Sequence, residues 1–453
     1  MMSKTEETTA TQKKDEALVW HAMKPYNPNN TLIAQQAKGV WVTDEEGNRY
    51  LDAMSGLWCV NIGYGREELA EAAFEQMKKL AYFPLTHSHT PAIELAEKLN
   101  EMLGGEYVFF YSNSGSEANE VAFKIARQYH QQKGETNRSK IISRYRSYHG
   151  NTLGALAATG QAQRKYKYEP FASGFLHVPP PDSYRSPVDS SKVGREREEV
   201  KAIEQMMVWE LEETVAAVIM EPIITGGGIL MPPEDYLQSV HDVCREKGAL
   251  LIVDEVICGF GRTGEPFGFM HYGVKPDIIT MAKGITSAYL PLSVTAVKKE
   301  IYDAFKGTEE YEYFRHVNTF GGNPAACAVA LKNLEIMKKE GLFTRAKVVG
   351  ETMLEMLNMK LAEHPKVGDI RGKGLLIGIE LVEDKETKQP IDVQVVNKII
   401  GRCKEKGVII GKNGATVAGY NNVLTIAPPL IINDEEMSVV TQALTDSIQD
   451  ILA

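Results

Sequence analysis

The feature that most restricts the fold is a series of short apolar segments, separated by helical patterns, between residues 106 and 297. The segment 250–256 is almost uniformly apolar, as strands are when helices cover both faces of their sheet. Residues 236–247 have helical periodicity and stop at Gly248, a residue type that commonly terminates helices. This alternation predicts an α/β fold with a mostly parallel sheet between helices. The predicted strands are 106–111, 140–143, 215–220, 250–256, 277–281 and 292–297.

The two ends of the chain have a different pattern. Residues 40–52 predict a hairpin, and a last helix is expected after Asn433, a residue type that caps helices. At 453 residues the chain exceeds what one compact core usually holds. We therefore expect a large domain from residues 71–330 and a smaller α+β domain formed by residues 1–70 and 331–453. The strands predicted for the C-terminal part are 374–381, 408–410 and 423–426.

Charge and cysteine usage argue against several partners and locations. The formal net charge of −10 at pH 7 argues against nucleic acid or an anionic membrane as the main partner. The longest apolar runs are far shorter than the roughly 20 residues that cross a bilayer, and the first residues show no secretory pattern. The five cysteines are scattered and odd in number, without a C-x-x-C pair. These features predict reduced thiols in a cytoplasmic protein.

The first motif, NSGSEAN at 113–119, follows a predicted strand and opens a helix. The free N–H groups of a helix N-terminus favour anions, so Ser114, Gly115 and Ser116 are candidates for binding a phosphate. The simpler alternative is a capping box between Ser114 and Glu117, which the spacing also fits.

The second motif is Tyr148-His149-Gly150, after the second of these predicted strands. Tyr148 could stack on a flat cofactor ring, and His149 could donate or accept a hydrogen bond beside it. Alternatively, both are ordinary amphipathic side chains at a strand exit.

The third motif contains Asp254, at the end of the most apolar strand. An isolated carboxylate there would cost several kcal/mol unless it met a cation or donors, and a protonated pyridine nitrogen is such a partner. A carboxylate that caps the following turn is the alternative. The glycine-rich run at 259–264 lacks the lysine of a P-loop and is interpreted as a turn.

The fourth motif is MAKG at 281–284, in which Lys283 follows a strand and precedes a glycine. Partial desolvation at a sheet edge would lower the pKa of its amine and favour Schiff-base chemistry. A solvated surface lysine is the alternative. The order of phosphate cup, aromatic, buried carboxylate and lysine at the carboxyl ends of strands favours a ligand site.

Together, the strings NSGSEAN, YHG, EPI, LLIVDEVICGFGRTG, MAKG and NTFGGNPAA resemble the class III (omega) aminotransferases of fold type I, from about Trp20 to the last helix. The resemblance implies a seven-stranded sheet and pyridoxal 5′-phosphate (PLP), bound through a Schiff base to Lys283. It also implies a homodimer and a ping-pong transfer from an amine donor to a keto acid.

The same resemblance implies roles for individual residues. Ser114, Gly115 and Ser116 match the phosphate cup, and Tyr148 and Val256 match the residues on the two ring faces. Asp254 matches the partner of the pyridine nitrogen, with His149 near the cofactor, and Glu221 matches an acid at its substrate end. Thr319, with Phe320 beside it, matches a threonine that completes the phosphate site of the neighbouring subunit.

Substrate recognition is the part that the sequence leaves most open. The candidates for the pocket are Leu57, Trp58, Phe83 and Leu85, with Tyr148, although core packing explains such residues equally well. Relatives that handle amino acids carry a mobile arginine in the C-terminal part, whereas residues 407–414 contain no arginine. Lys412 could act there as a point charge.

The C-terminal stretch looks closest to the pyruvate-dependent members, including taurine:pyruvate and β-alanine or amine:pyruvate enzymes. We therefore expect pyruvate to be preferred over 2-oxoglutarate. A decarboxylase, a racemase or a biotin-pathway aminotransferase on the same fold remains an alternative. So does a binding protein that has lost the chemistry, although Lys283 and Asp254 are both present.

Overall fold

The structure is a computed structural model that describes residues 9–23, 31–185 and 192–452. Its strands, in chain order, are β1 (Ala34–Lys38), β2 (Trp41–Asp44), β3 (Arg49–Asp52), β4 (Tyr107–Ser112), β5 (Lys140–Arg144), β6 (Phe175–Val178), β7 (Val215–Met220), β8 (Leu250–Asp254), β9 (Ile278–Met281), β10 (Ser293–Lys298), β11 (Val367–Gly372), β12 (Ile377–Leu381), β13 (Val408–Ile409), β14 (Gly411–Lys412) and β15 (Val423–Ile426).

The α-helices alternate with these strands through the middle of the chain. They are α1 (Ala10–Leu18), α2 (Ser55–Trp58), α3 (Glu67–Lys79), α4 (Thr90–Leu103), α5 (Gly115–Gln132), α6 (Leu153–Ala158), α7 (Ala162–Lys165), α8 (Glu198–Trp209), α9 (Tyr236–Lys247), α10 (Lys299–Asp303), α11 (Pro324–Lys339), α12 (Leu342–Leu361), α13 (Val393–Glu405) and α14 (Asp434–Leu452). Within the described ranges, none of them is long and apolar enough to cross a membrane.

The central sheet has seven strands in the order β4-β10-β9-β8-β7-β5-β6. Strands β5 to β9 pair in parallel, and β10 runs antiparallel to both of its neighbours. All residues of β7 and β8 are buried, which explains why their sequences are apolar throughout instead of alternating. The predicted α/β class with a mostly parallel seven-stranded sheet is confirmed.

Two smaller sheets are built from the rest of the chain. In the first, β13 from the C-terminal part pairs in parallel with β3 of the N-terminal hairpin, with Val408 opposite Leu51. The second has the order β11-β12-β15-β14. These pairings join the two ends of the chain, while the predicted domain boundaries at residues 70 and 330 stay a prediction.

The sheet matters for function because of where its strands end. The carboxyl ends of β4, β5, β7, β8 and β9 lead directly to the sequence motifs singled out above, and these strands run in the same direction. Ligands of open α/β sheets bind outside the carboxyl ends of the strands. The fold therefore brings residues that are far apart in sequence to one edge.

Candidate active site

The N-terminus of α5 contains the predicted phosphate cup. Ser114 caps the helix by accepting the N–H of Glu117 at 3.3 Å, and the Glu117 carboxylate accepts the N–H of Ser114 at 2.9 Å, so the capping box is present. The helix starts at Gly115, inside the motif that was predicted to open it. A capping box satisfies only part of the first N–H groups of a helix, so it does not preclude an anion there.

Gly115 lies directly against Val256, the residue after β8 that was predicted to face the cofactor ring. A Cβ added at Gly115 would be 2.9 Å from one methyl carbon of Val256 and 3.0 Å from the other. On its other side, the Ser116 hydroxyl donates to the side-chain oxygen of Asn151 at 3.0 Å. The start of α5 is therefore packed closely on the loop after β8.

Asp254 is buried at the end of β8 and is held by three donors. Its Oδ2 accepts from Asn119 Nδ2 at 2.8 Å and pairs with His149 Nδ1 at 2.9 Å, and its Oδ1 accepts the N–H of Val256 at 3.1 Å. Asn119 also donates to the backbone oxygen of His149 and accepts from the Thr280 hydroxyl. Two predicted residues, Asp254 and His149, are thus brought into direct contact.

Asn119 and Thr280 belong to this network, although the sequence reasoning assigned them no role. Asn119 stands inside NSGSEAN, on the first turns of α5, and Thr280 is in β9. Nothing local marks an asparagine inside a helix as a partner of a carboxylate that is 135 residues away.

Lys283 follows β9 and has a left-handed backbone conformation, with φ of 51°. Burial lowers the pKa of its amine, against the opposing influence of Cys59, Asp254 and Glu221. Its Nζ lies 5.6 Å from the centre of the Trp58 ring. Within the described ranges, this amine forms no hydrogen bond or ion pair, and its burial argues against the alternative of a solvated surface lysine.

Glu221, after β7, connects to Tyr148. Its Oε1 accepts the N–H of Tyr148 at 3.1 Å, and its Oε2 accepts the N–H and the hydroxyl of Thr225 at 3.0 and 2.8 Å. Burial raises the pKa of the Glu221 carboxyl and also that of the Tyr148 phenol. A half-buried tyrosine and a buried acid therefore lie side by side at the sheet edge.

Among the pocket candidates, Trp58 contacts Lys283. In the described part of the chain, no such contact joins Leu57, Phe83 or Leu85 to Lys283. Leu57 is 72% exposed. Phe83 packs against His87 with 5.3 Å between ring centres. The side chain of Leu85 comes close to Gly322, beside the predicted intersubunit segment.

Thr319 and Phe320 both contact Tyr82. The Tyr82 hydroxyl donates to the backbone oxygen of Thr319 at 2.8 Å, and the Tyr82 and Phe320 rings pack edge to face. Phe320 is 64% exposed, and the Thr319 side chain is exposed as well. Within the part of the chain that the structure describes, no hydrogen bond or ring contact joins Thr319 or Phe320 to Asp254 or Lys283.

Lys412 lies in β14, half-buried, and burial lowers the pKa of its amine. Two residues further along the chain, the backbone oxygen of Gly414 accepts from Nη2 of Arg164 in α7 at 3.3 Å. Sequence reasoning missed Arg164, because 248 residues of sequence separate it from Lys412.

Comparisons with known proteins identify the family of this chain. The family profile of class-III aminotransferases matches residues 22–448. The chain is 66% identical to "Uncharacterized aminotransferase YhxA" of Bacillus subtilis, over 99% of both chains. It is 41% identical to a taurine–pyruvate aminotransferase of Bilophila wadsworthia, over 95% of both chains.

A solved structure of an aminotransferase from Bacillus anthracis superposes with a TM-score of 0.97, at 64% identity, covering 99% of this chain and 100% of that one. The similarities run over nearly the whole length of each protein, so they concern the complete fold and not a shared domain. The chain therefore belongs to the class-III aminotransferase family and is a PLP-dependent aminotransferase.

Proposed function

We propose that this enzyme is an omega-aminotransferase that moves an amino group from a primary amine or ω-amino acid to pyruvate, giving alanine, by a ping-pong mechanism. The observation that carries the proposal is the convergence of Lys283, Asp254, Tyr148 and Glu221 at one edge of the sheet. Pyruvate is favoured as the acceptor by the 41% identity to a taurine–pyruvate aminotransferase. The absence of an arginine in residues 407–414 also favours a monocarboxylic acceptor over a dicarboxylic one.

The residues present fit PLP. In the described part of the chain, the Lys283 amine forms no hydrogen bond or ion pair. It is therefore available to react with the carbonyl group of PLP. Among the described residues, Asp254 Oδ1 accepts a single hydrogen bond, from the N–H of Val256, which leaves capacity for a protonated ring nitrogen. When bound, PLP supplies a carbonyl carbon for the amine and a ring that accepts the electron pair left by deprotonation.

Lys283 is the proton carrier in this proposal. Because burial lowers the pKa of its amine, Nζ can exist as a neutral base at a lower pH than an exposed lysine could. Nζ would take the proton from the substrate Cα and deliver it to the cofactor carbon that receives the amino group, not back to Cα. Its position at the end of a buried strand keeps the amine in a fixed location.

Asp254 holds its charge in place for the ring nitrogen. The Asn119 amide and the His149 ring both bind its Oδ2, so the carboxylate cannot rotate away. Tyr148 and Val256 would cover the two ring faces, and Glu221 would lie near the substrate end. Ser114, Gly115 and Ser116 would hold the phosphate at the start of α5.

The proposal includes a homodimer in which Thr319 of one subunit completes the phosphate site of the other. The exposure of Thr319 and Phe320 supports this, together with the 68% exposure of Val317 nearby. We also propose a cytoplasmic location, for which the five free cysteines are the support.

The test is a Lys283→Ala variant assayed with a panel of donors: taurine, β-alanine, a diamine and 1-phenylethylamine. We expect loss of both transamination and the visible absorption of lysine-bound cofactor. Lys275→Ala is the matched control, because Lys275 is an exposed lysine that pairs with Glu106. Retention of activity by Lys283→Ala would refute the assignment.

The acceptor is tested with the unmodified enzyme. Formation of alanine from pyruvate is compared with formation of glutamate from 2-oxoglutarate, using the best donor of the panel. A clear preference for 2-oxoglutarate would contradict the proposed acceptor and leave the donor assignment untouched.

A further inference from the structure

The candidate site contains an arginine for which neither the fold nor the proposed chemistry gives a use. Arg164 lies in α7, and its guanidinium is 4.9 Å from the centre of the Tyr148 ring. Its Nε donates to Gln161 Oε1 at 2.6 Å, and its Nη2 makes one long hydrogen bond of 3.3 Å to the backbone oxygen of Gly414. No other hydrogen bond of this guanidinium is recorded in the described ranges.

The charge of Arg164 is not balanced by an acidic side chain among the described residues. Its recorded partners are an amide oxygen, a backbone oxygen and an aromatic ring, and burial lowers its pKa. Two other inward-facing arginines differ in this respect. Arg146 pairs with Asp182 at 2.5 Å, and Arg371 pairs with Asp369 at 2.7 Å. A partly desolvated guanidinium without an anion is suited to an anionic ligand.

The position of Arg164 is fixed from both sides. Gln161, which holds Nε, donates through its own side chain to the backbone oxygen of Arg146 at 2.9 Å. Gln163, the preceding residue of α7, donates its N–H to the backbone oxygen of Thr416 at 3.2 Å and accepts from Asn421 at 2.8 Å. The short helix is therefore attached to the C-terminal loop, and in the described ranges Nη1 of Arg164 has no hydrogen-bond partner while Nη2 has only Gly414.

Arg164 also reaches the segment in which the sequence lacks an arginine. Residues 407–414 offer only Lys412 as a cation, yet the Arg164 guanidinium contacts Gly414 at the end of this segment. The fold thus places the guanidinium of an α7 residue at a segment that has no arginine of its own. Through Tyr148, whose N–H binds Glu221, it is connected to the substrate end of the proposed site.

We propose that Arg164 binds the acidic group at the far end of a short ω-amino acid donor, a carboxylate or a sulfonate. The inference rests on the proposed omega-aminotransferase function and names the substrate class for that site. The guanidinium fork matches two oxygens of either acid, which a lysine amine cannot do. Lys412, half-buried and two residues before Gly414, is the alternative cation, but its amine lacks that geometry.

The test measures the donor half-reaction alone, with no keto acid present, by following the absorbance of the bound cofactor. Arg164→Met is compared with wild type for taurine, β-alanine and uncharged 1-phenylethylamine. We expect kcat/KM to fall about 10- to 100-fold for the two acidic donors, because a charge-assisted hydrogen-bond pair is lost. The value for 1-phenylethylamine should stay within about 3-fold, which shows that the variant folds and binds cofactor. Arg164→Lys should recover only part of the loss.

Lys165→Met is the matched control, since Lys165 is the next cation of α7 and binds the backbone oxygen of Ala157 at 3.1 Å. It should leave the ratio between acidic and neutral donors unchanged. Equal loss for all three donors in Arg164→Met would overturn the inference in favour of a structural role. A selective loss in Lys412→Met, with none in Arg164→Met, would overturn it in favour of Lys412.

A binding measurement separates this inference from the proposed function. Ethanesulfonate and propionate carry the acidic group without an amine, so their affinity for the holoenzyme can be measured by calorimetry without turnover. Binding that is weakened about 10-fold or more in Arg164→Met supports the anion site even if no donor of the panel reacts. Absence of any binding to wild type, or equal binding to both proteins, refutes it.

Discussion

The contact between Gly115, in the proposed phosphate site, and Val256, in the proposed site of the cofactor ring, allows a quantitative prediction. In Gly115→Ala, the new Cβ would be 2.9 and 3.0 Å from the two methyl carbons of Val256, where ordinary contacts are about 3.5–4.0 Å. The start of α5 or the loop after β8 must therefore move by about half an ångström. Such overpacking costs roughly 1–3 kcal/mol, and the helix propensity of alanine returns at most about 1 kcal/mol.

The net penalty of about 0–2 kcal/mol corresponds to a small change in thermal stability. For a chain of 453 residues, 1 kcal/mol shifts Tm by only about 1 °C. Cofactor affinity is the more sensitive measurement if Ser114 to Ser116 bind the phosphate as proposed, because displacement of their N–H groups would weaken charge-assisted hydrogen bonds. We expect the Kd for PLP to rise about 10-fold, measured by titration of the apoenzyme.

The double variant Gly115→Ala, Val256→Ala decides whether the contact is the cause. Val256→Ala removes both methyl groups, so the added Cβ has room, and the two effects should deviate from additivity by about 1–3 kcal/mol. Gly401→Ala is the control, because Gly401 lies in α13 with no atom near an added Cβ and should gain stability from helix propensity alone. Strict additivity within about 0.5 kcal/mol would refute the steric explanation.

Two further predictions concern Lys283 and the subunit interface. Because burial lowers the pKa of Lys283 below its usual 10.5, the unfolded chain binds this proton at pH values where the folded chain does not. The free energy of unfolding of the apoenzyme should therefore increase as pH rises towards 10.5, and Lys283→Met should lack this increase. Thermal unfolding of both proteins between about pH 7 and 10 is the test. Parallel curves of stability against pH for the two proteins would contradict the prediction. If Thr319 acts across a dimer interface, two impaired homodimers, Lys283→Ala and Thr319→Ala, should regain about a quarter of wild-type sites after mixed refolding, since a heterodimer contains one intact site. No recovery in the activity assay, with heterodimers demonstrated by native mass spectrometry, would contradict the shared site.

Those parts of the fold that depend on local pattern could be predicted from the sequence. Strand β7 and helix α9 have the predicted bounds, because their apolar periodicity and the stop at Gly248 are properties of the segments themselves. Strand β8 ends at Asp254, two residues before the predicted end, since the loop turns at the carboxylate. Strand β6 was not predicted, because its four residues, Phe175–Val178, carry too short a pattern at the sheet edge.

The site residues likewise divide into those with a local sequence signal and those without one. Asp254 and Lys283 could be singled out because each stands at the end of its own apolar strand, where a charged group needs an explanation. Asn119 could not, since its function is a hydrogen bond to Asp254 that exists only after α5 packs on β8 and β9. Arg164 is the extreme case, because a guanidinium in a four-residue helix has no local signal at all.

Arg164 also shows why the absence of an arginine from residues 407–414 does not by itself exclude a donor with an acidic group. A sequence motif shows which side chain stands at one position. A substrate, by contrast, contacts any cation that the fold places beside it, including one from a distant part of the sequence. Here α7 delivers a guanidinium to Gly414, held by Gln161 and lacking an acidic partner in the described ranges. The donor's acidic group therefore has to be inferred from the assembled site, and the comparison of Arg164→Met with Lys412→Met distinguishes the two sources of positive charge.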